Sequence, residues 1–311
     1  MRRIIIDTDP GIDDAVAILL ALAAPEELEV LGIVSVAGNL SLAQTERNAR
    51  RVCELAGRAD IPVYAGCARP MLRPVATAEH IHSDPRLDEV LPEPKRPLQA
   101  QHGVDFLIET LRREEEGPIT LCALGPLTNI AMALVKAPEI ATKIRELVIM
   151  GGACFELGNV TPVAEFNIHV DPHAAEICFK SGVPVILIPL DVTHQILTTP
   201  QRLDALRALG NRCGAAVAAL LTTFAERRSE RFGERGRALH DPSVIAYLLR
   251  PELFDGREVN VEIETASPLA LGMTVADWWS VSGREPNARL MNTVDAASFF
   301  DLLTERLARL P

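Results

Sequence analysis

The chain predicts an α/β fold built on a mainly parallel sheet, with helices packed on it and a site at the carboxyl ends of its strands. Three observations carry that prediction. Short β-branched runs alternate with longer helical patterns, the sequence form of βαβ units. Glycine, asparagine and aspartate fall together where those runs end, and ligands bind at such ends in open α/β sheets. The 311 residues, 48% of them hydrophobic, allow a large buried core in one big domain or two ordinary ones.

In chain order, a strand at Arg3 to Asp7 leads to a helix from about Asp13 to Ala24. A strand at Leu28 to Val36 leads to a helix from about Ser41 to Gly57, and a short strand follows around Val63 and Tyr64, just after Pro62. Residues Cys67 to Pro97 then hold six of the 22 prolines with His80, His82 and several acids, so this stretch reads as a long irregular excursion. Excursions of that length are uncommon unless they are functional. Regularity returns with a helix near His102 to Glu116, a strand at Ile119 to Ala123, a helix at Leu127 to Lys136 and a strand at Glu146 to Met150. A glycine-rich segment from Gly151 to about Val170 precedes a helix at Asp171 to Lys180 and a strand at Val185 to Leu190. Helices are expected at about Pro200 to Leu209, Gly214 to Phe232 and Asp241 to Leu249. Strands and turns between Val259 and Met291 then close on a helix from Asp295 to Leu310. No repeat or linker divides the chain, so residues 1–311 read as one domain, with the helical block at about 195–250 packing as a cap.

Several function classes are excluded by charge and composition. Lys plus Arg at 31 against Asp plus Glu at 42 gives a net charge of −11, unsuited to binding a phosphate backbone or an anionic membrane surface. The longest apolar run, Ala15 to Ala24, is ten residues, well short of the roughly 20 that span a bilayer. The opening Met1-Arg2-Arg3-Ile4-Ile5-Ile6-Asp7 has too short an apolar stretch for a signal peptide, and a cytoplasmic protein is expected. Cys53, Cys67, Cys122, Cys154, Cys178 and Cys213 show no pairing rhythm and read as reduced, structural thiols.

The chemistry begins at Asp7-Thr8-Asp9-Pro10-Gly11-Ile12-Asp13-Asp14, four carboxylates within eight residues directly after an apolar strand. Carboxylates this dense and partly desolvated repel one another unless some are protonated or a cation sits among them. Oxygen ligands without nearby His or Cys point to Ca²⁺ or Mg²⁺, and room for six to eight ligands favours Ca²⁺. The plainer reading makes Asp13 a helix cap and Asp7 and Asp9 solvated turn residues, but a cap needs one carboxylate, not four. Gly38-Asn39, Leu124 to Asn129, Met150-Gly151-Gly152 and Asp191-Val192-Thr193-His194 end other strands on the same rim. Glu165 and Asn167 flank a buried-looking Phe166 and suit a vicinal diol, one accepting and the other donating. His240-Asp241-Pro242 stands just before a helix, where Asp241 also reads as an N-cap; His80, His102, His169, His173 and His194 read as structural.

With Asn159 and Ala164-Glu165-Phe166-Asn167 added, these motifs resemble the inosine-uridine-preferring nucleoside hydrolases in order and spacing from the first strand to about residue 250. The resemblance implies a Rossmann-like α/β fold that hydrolyses the N-glycosidic bond of ribonucleosides with a tightly held Ca²⁺, and assembly as a homodimer or homotetramer. It implies Asp9, Asp14 and Asp241 as carboxylate ligands with the backbone carbonyl of Leu124, the ribose 2′- and 3′-hydroxyls and one water completing the shell. Asp13, Glu165 and Asn167 would bind the ribose hydroxyls, Asn39, Met150 and Asn159 would line the sugar site, and His240 would lie near the departing base. Cleavage through an oxocarbenium-like sugar fits these residue types. A calcium-bound water beside Asp9 would supply the nucleophile with Asp9 as general base, and His240, with a near-neutral pKa, is the candidate proton donor.

Departures from the family pattern fall at the base end. Ser83 and Arg86 stand where relatives usually carry glycine in the loop around His82, itself a candidate base contact, and Arg228 and Arg231 stand in a helix that often presents Tyr. The arginines suit stacking on a base, an acidic substrate, or pairing with Glu226, Glu230 and Glu234 on a solvated face. Base preference stays open. Against a phosphatase stands the placement of Lys95, Lys136, Lys143 and Lys180, none at a strand end; against a dinucleotide-binding dehydrogenase, the missing GxGxxG. A nucleoside-binding protein without turnover, or a hydrolase for a modified nucleoside, remains the alternative.

Overall fold

The computed structural model describes residues 1–82, 85–114, 117–226 and 236–311, with the backbone alone at 85–87 and 224–226. Ser83, Arg228, Arg231, Glu230 and Glu234, and the side chains of Arg86 and Glu226, therefore lie outside the described residues.

The first half alternates β1 (Arg2–Thr8), α1 (Ile12–Leu22), β2 (Leu28–Ser35), α2 (Leu42–Leu55) and β3 (Val63–Ala65). Two short helices, α3 (Glu79–His82) and α4 (Pro85–Val90), interrupt the proline-rich excursion read above as irregular. Then come α5 (Gly103–Arg113), β4 (Ile119–Ala123), α6 (Thr128–Lys136), a 3₁₀ turn at Pro138–Lys143 and β5 (Ile144–Met150). The glycine-rich segment ends in a helix that the sequence did not announce, α7 (Phe166–Val170), followed by α8 (Pro172–Lys180), β6 (Val185–Ile188) and the single turn α9 (Leu190–Thr193). The strands β7 (Leu197–Thr198) and β8 (Arg237–Ala238) pair around α10 (Pro200–Arg207) and α11 (Arg212–Glu226). The chain closes with α12 (Pro242–Leu249), β9 (Phe254–Ile263), β10 (Thr274–Asp277), β11 (Ala288–Val294) and α13 (Ala296–Leu307).

Nine strands form one sheet in the order β10-β9-β11-β6-β5-β4-β1-β2-β3. From β3 to β11 neighbouring strands are parallel; β9 runs antiparallel to β11, and β10 to β9. Strand order reverses between β1 and β4, and the crevice at such a switch point is where open α/β sheets bind ligands. Period-two alternation splits β1 between two cores: Ile4 and Ile6 join the cluster with α1, α2, α11, α12 and α13, while Ile5 joins the opposite cluster with α5, α6 and α8. Every residue of α1 is buried because α2, α11 and α12 pack around it, the condition for a helix apolar on nearly all sides. That enclosure draws Asp13 and Asp14, on its first turn, out of water. Arg51 of α2 ties the proline-rich excursion down: fully buried, it donates from Nε to Pro92 O (3.1 Å), from Nη1 to Asp88 (2.7 Å) and from Nη2 to the Leu91 carbonyl. No described helix is long and apolar enough to cross a membrane.

Candidate active site

Asp9 and Asp14 stand side by side where β1 passes into α1. Asp14 Oδ1 accepts from Thr8 Oγ1 (2.5 Å) and Asp9 N (3.2 Å), and Oδ2 from Gly11 N (3.0 Å) and Asn39 Nδ2 (3.1 Å). Asp14 thus carries the cap duty of α1 that the plainer sequence reading gave to Asp13. Asp9 Oδ2 accepts from Asn39 N at 2.6 Å, while Oδ1 is buried with no partner among the described residues. Gly38 and Gly125 press against opposite oxygens of this carboxylate, and a Cβ on either would collide with it. Asp7, two residues earlier, is engaged elsewhere and accepts from Asn129 Nδ2 at 2.9 Å; burial pushes its pKa up to about 8.

Carboxylate oxygens of Asp13, Asp14 and Asp241 lie within 4.8 Å of one another, all three buried. Asp241 occupies the N-cap position of α12 but makes no capping hydrogen bond, so its oxygens are left to face the other acids. Burial and mutual repulsion hold Asp9 and Asp241 well above the usual carboxylate range and raise Asp13 to about 7. Groups this strained toward protonation need a compensating charge. Among the described residues lining the cavity above them, Arg237 alone carries a fixed positive charge. An all-oxygen donor set with an orphaned Asp9 Oδ1 fits a hard divalent cation. The geometric cluster holds Asp13 and not Asp9, which is coupled electrostatically to both Asp13 and Asp14.

Above the acids opens a cavity of about 750 Å³. Ten of the residues singled out from sequence line it: Asp13, Asn39, His82, Leu124, Met150, Asn159, Glu165, Asn167, His240 and Asp241. On one wall, Asn167 Nδ2 donates to the carbonyls of Leu124 (2.7 Å) and Met150 (3.1 Å), clamping the ends of β4 and β5. Glu165 is the N-cap of α7: Oε1 accepts from Asn167 N (2.9 Å), and Oε2 from Gly152 N (3.0 Å) and Ile168 N (3.2 Å). These amides offset part of the burial that raises its pKa. Gly152 sits at φ +85°, a conformation glycine adopts without strain, and so turns its N–H onto Glu165. Asn159 Oδ1 accepts from Phe166 N at 2.9 Å.

Imidazoles also line the cavity. His82 Nδ1 accepts from Ile12 N (3.3 Å) at the start of α1, against Gly11. His240 Nδ1 lies 2.8 Å from Thr193 Oγ1, and its ring meets His194 edge-on at 6.0 Å. The near-neutral pKa expected for His240 is corrected by its surroundings: burial, with His194, Arg237 and His82 as cationic or cationisable neighbours, pushes it down to about 3, so the ring is neutral at pH 7. His194 Nδ1 contacts Glu156 Oε2 at 3.1 Å.

Part of the cavity lining was not legible residue by residue in the sequence. His80, His169 and His194, read as structural, line the cavity, and Phe166, read as buried, is only partly so and faces it. Arg237 carried no signal in sequence. Thr193 and His194 did carry one, since Asp191 to His194 follow a strand, but nothing local linked that turn to His240.

Residues 4–301 match the family described as inosine-uridine preferring nucleoside hydrolase. An uncharacterised protein of Schizosaccharomyces pombe is 50% identical over 310 residues, 99% of this chain and 100% of that protein. The pyrimidine-specific ribonucleoside hydrolase RihA of Salmonella typhimurium is 47% identical over 306 residues, 98% of this chain and 97% of its own. Among solved structures, a purine-preferring ribonucleoside hydrolase from Gardnerella vaginalis superposes with a TM-score of 0.90 at 32% identity, covering 99% of this chain and 98% of that one.

Proposed function

The chain belongs to the inosine-uridine preferring nucleoside hydrolase family, and on that premise we propose that it hydrolyses pyrimidine ribonucleosides with a bound Ca²⁺, releasing ribose and the free base. That it is a hydrolase of N-glycosidic bonds follows from the family. The observation that carries the finer reading is the cavity itself, with a buried cluster of carboxylates at its floor and the neutral His240 imidazole among its lining. The pyrimidine preference is taken from the 47% identical relatives, against 32% for the purine-preferring structure.

Asp9, Asp14, Asp241 and the Leu124 carbonyl would hold the ion. When bound, Ca²⁺ acidifies water and templates a vicinal diol. Asp9, whose Oδ1 is left without a partner, takes the proton from the attacking water. Asp13, Glu165 and Asn167 orient the ribose hydroxyls, and the acids around the ring stabilise the positive charge that grows as the glycosidic bond lengthens. Asn39, Met150 and Asn159 bound the sugar site, and His82 and His240 face the base, His240 donating a hydrogen bond from a neutral ring. Residues 1–311 act as one domain, the 195–250 block contributing Arg237, His240 and Asp241 to the cavity wall. Six free cysteines suit the reducing cytoplasm. Self-association as a homodimer or homotetramer would cover exposed apolar side chains such as Leu269, Trp279 and Val281.

The test is ribose release from uridine, cytidine, inosine, adenosine and guanosine, before and after chelation and with Ca²⁺ restored. Calcium-dependent release, fastest from uridine and cytidine, is expected. Release that ignores chelation would overturn the calcium assignment, a purine ranking the base assignment, and binding without release the hydrolytic one.

A further inference from the structure

We propose that Thr193 is a positioning residue, its hydroxyl donating to His240 Nδ1 and so holding the imidazole as the tautomer that carries its proton on Nε2. The assignment of that Nε2–H to the departing base rests on the function proposed above; the tautomer itself does not.

Thr193 ends α9 and is fully buried. Its N–H donates to Pro189 O (3.1 Å) and its carbonyl accepts from Ile196 N (3.0 Å), which leaves the hydroxyl for the 2.8 Å contact with His240. A hydroxyl carries one proton, and among the described residues the Thr193 proton meets no acceptor except His240 Nδ1. If Nδ1–H donated instead, as in the other tautomer or in imidazolium, the threonine proton would be buried and unsatisfied. The geometry therefore favours threonine as donor and Nδ1 as acceptor. The other ring nitrogen, Nε2, makes no bond to any described residue, yet it is not among the sealed polar atoms, and the ring lines the cavity. An N–H at Nε2 thus faces the substrate side.

The turn that carries Thr193 is itself fixed. Asp191, two residues earlier, accepts from the amides of Cys154 (3.0 Å), Phe155 (2.7 Å) and Glu156 (3.0 Å), which ties α9 to the segment after β5. His194 backs the His240 ring edge-on, with 65° between the ring planes. Second-layer bonds of this kind select which nitrogen of a histidine bears the proton.

The experiment uses the calcium-saturated, full-length chain as wild type, Thr193→Val and Thr193→Ser. Uridine, whose base leaves poorly, is compared with p-nitrophenyl riboside, whose leaving group needs little help. Thr193→Val is expected to lower kcat on uridine by about tenfold with KM little changed, and to leave p-nitrophenyl riboside within about twofold. Thr193→Ser is expected to restore uridine turnover. In parallel, ¹⁵N NMR of the His240 ring should show the Nε2–H tautomer in wild type and in Thr193→Ser. Equal losses on both substrates, no loss on uridine, or an Nδ1–H ring in wild type would overturn the proposal. If wild type released no ribose, the proposed function would fall while the ring spectrum still decided the role of Thr193.

Discussion

Gly38→Ala tests how tightly the fold holds Asp9. The backbone at Gly38 is not in the left-handed region, so alanine meets no conformational penalty, only a lack of room. Its Cβ would lie 2.8 and 2.9 Å from Cδ and Cγ of Pro126 and closer still to Asp9 Oδ2. The proline ring is rigid, so the carboxylate gives way, by about 1 Å, and its 2.6 Å bond from Asn39 N breaks. A displacement of about 1 Å in a catalytic group costs roughly 100-fold in rate, about 2.7 kcal/mol of barrier. The expected result is a kcat about 100-fold lower on uridine, weaker Ca²⁺ binding by calorimetry, and an unchanged circular dichroism spectrum. Gly125→Ala, whose Cβ would stand 2.8 Å from Asp9 Cγ, should behave alike. Wild-type turnover and calcium affinity in Gly38→Ala would refute the clamp.

Asp9→Ala is expected to abolish ribose release while leaving the fold intact, and retention of most activity would remove Asp9 from its role as base. His240→Ala should cost more on nucleosides than on p-nitrophenyl riboside; equal losses in kcat/KM would limit His240 to binding. In the chelated protein, Asp7 at about 8 and Asp13 at about 7 both titrate above their unfolded values near 3.8. The native state then binds more protons than the unfolded one, so stability should fall as pH rises from about 6.5 to 8, a window above the range in which His240 opposes it. Saturating Ca²⁺ should raise Tm and flatten that slope; a Tm indifferent to calcium throughout this window would contradict the acid cluster as its site. Trp279→Glu places a charge on a side chain that is 78% exposed and should lower the solution mass measured by light scattering if copies meet there; an unchanged oligomer would move the interface elsewhere.

Where chemistry was written in contiguous residues, it was legible. Asp7 to Asp14 announced a buried acid cluster because Asp13 and Asp14 open the enclosed helix α1 directly after β1, although Asp7 turns to Asn129 and the third member of the cluster, Asp241, comes from far along the chain. The spacing of Glu165 and Asn167 likewise survived, although a helix turn, unannounced by any long periodic pattern, presents them. Short elements such as α3, α4, α7 and α9 escaped because one turn of helix leaves no periodicity to detect. The near-neutral pKa assumed for His240 failed for a related reason, since desolvation and cationic neighbours are properties of the assembled wall, not of the tripeptide His240-Asp241-Pro242.

By itself, the sequence determined the layered α/β architecture, the family, and which acids crowd the end of β1, because alternation and local spacing act over a few residues. Only the tertiary structure decided that Gly38 and Gly125 grip Asp9, that Asp14 takes the cap while Asp241 is left free of one, and that His194, Arg237 and Phe166 face the cavity. Thr193 and His240 are 47 residues apart in the chain, yet their side chains meet at 2.8 Å. No periodicity spans that interval; the meeting exists because the packing of α12 against α1, and of α9 at the end of β6, brings two strand-end turns to the same rim.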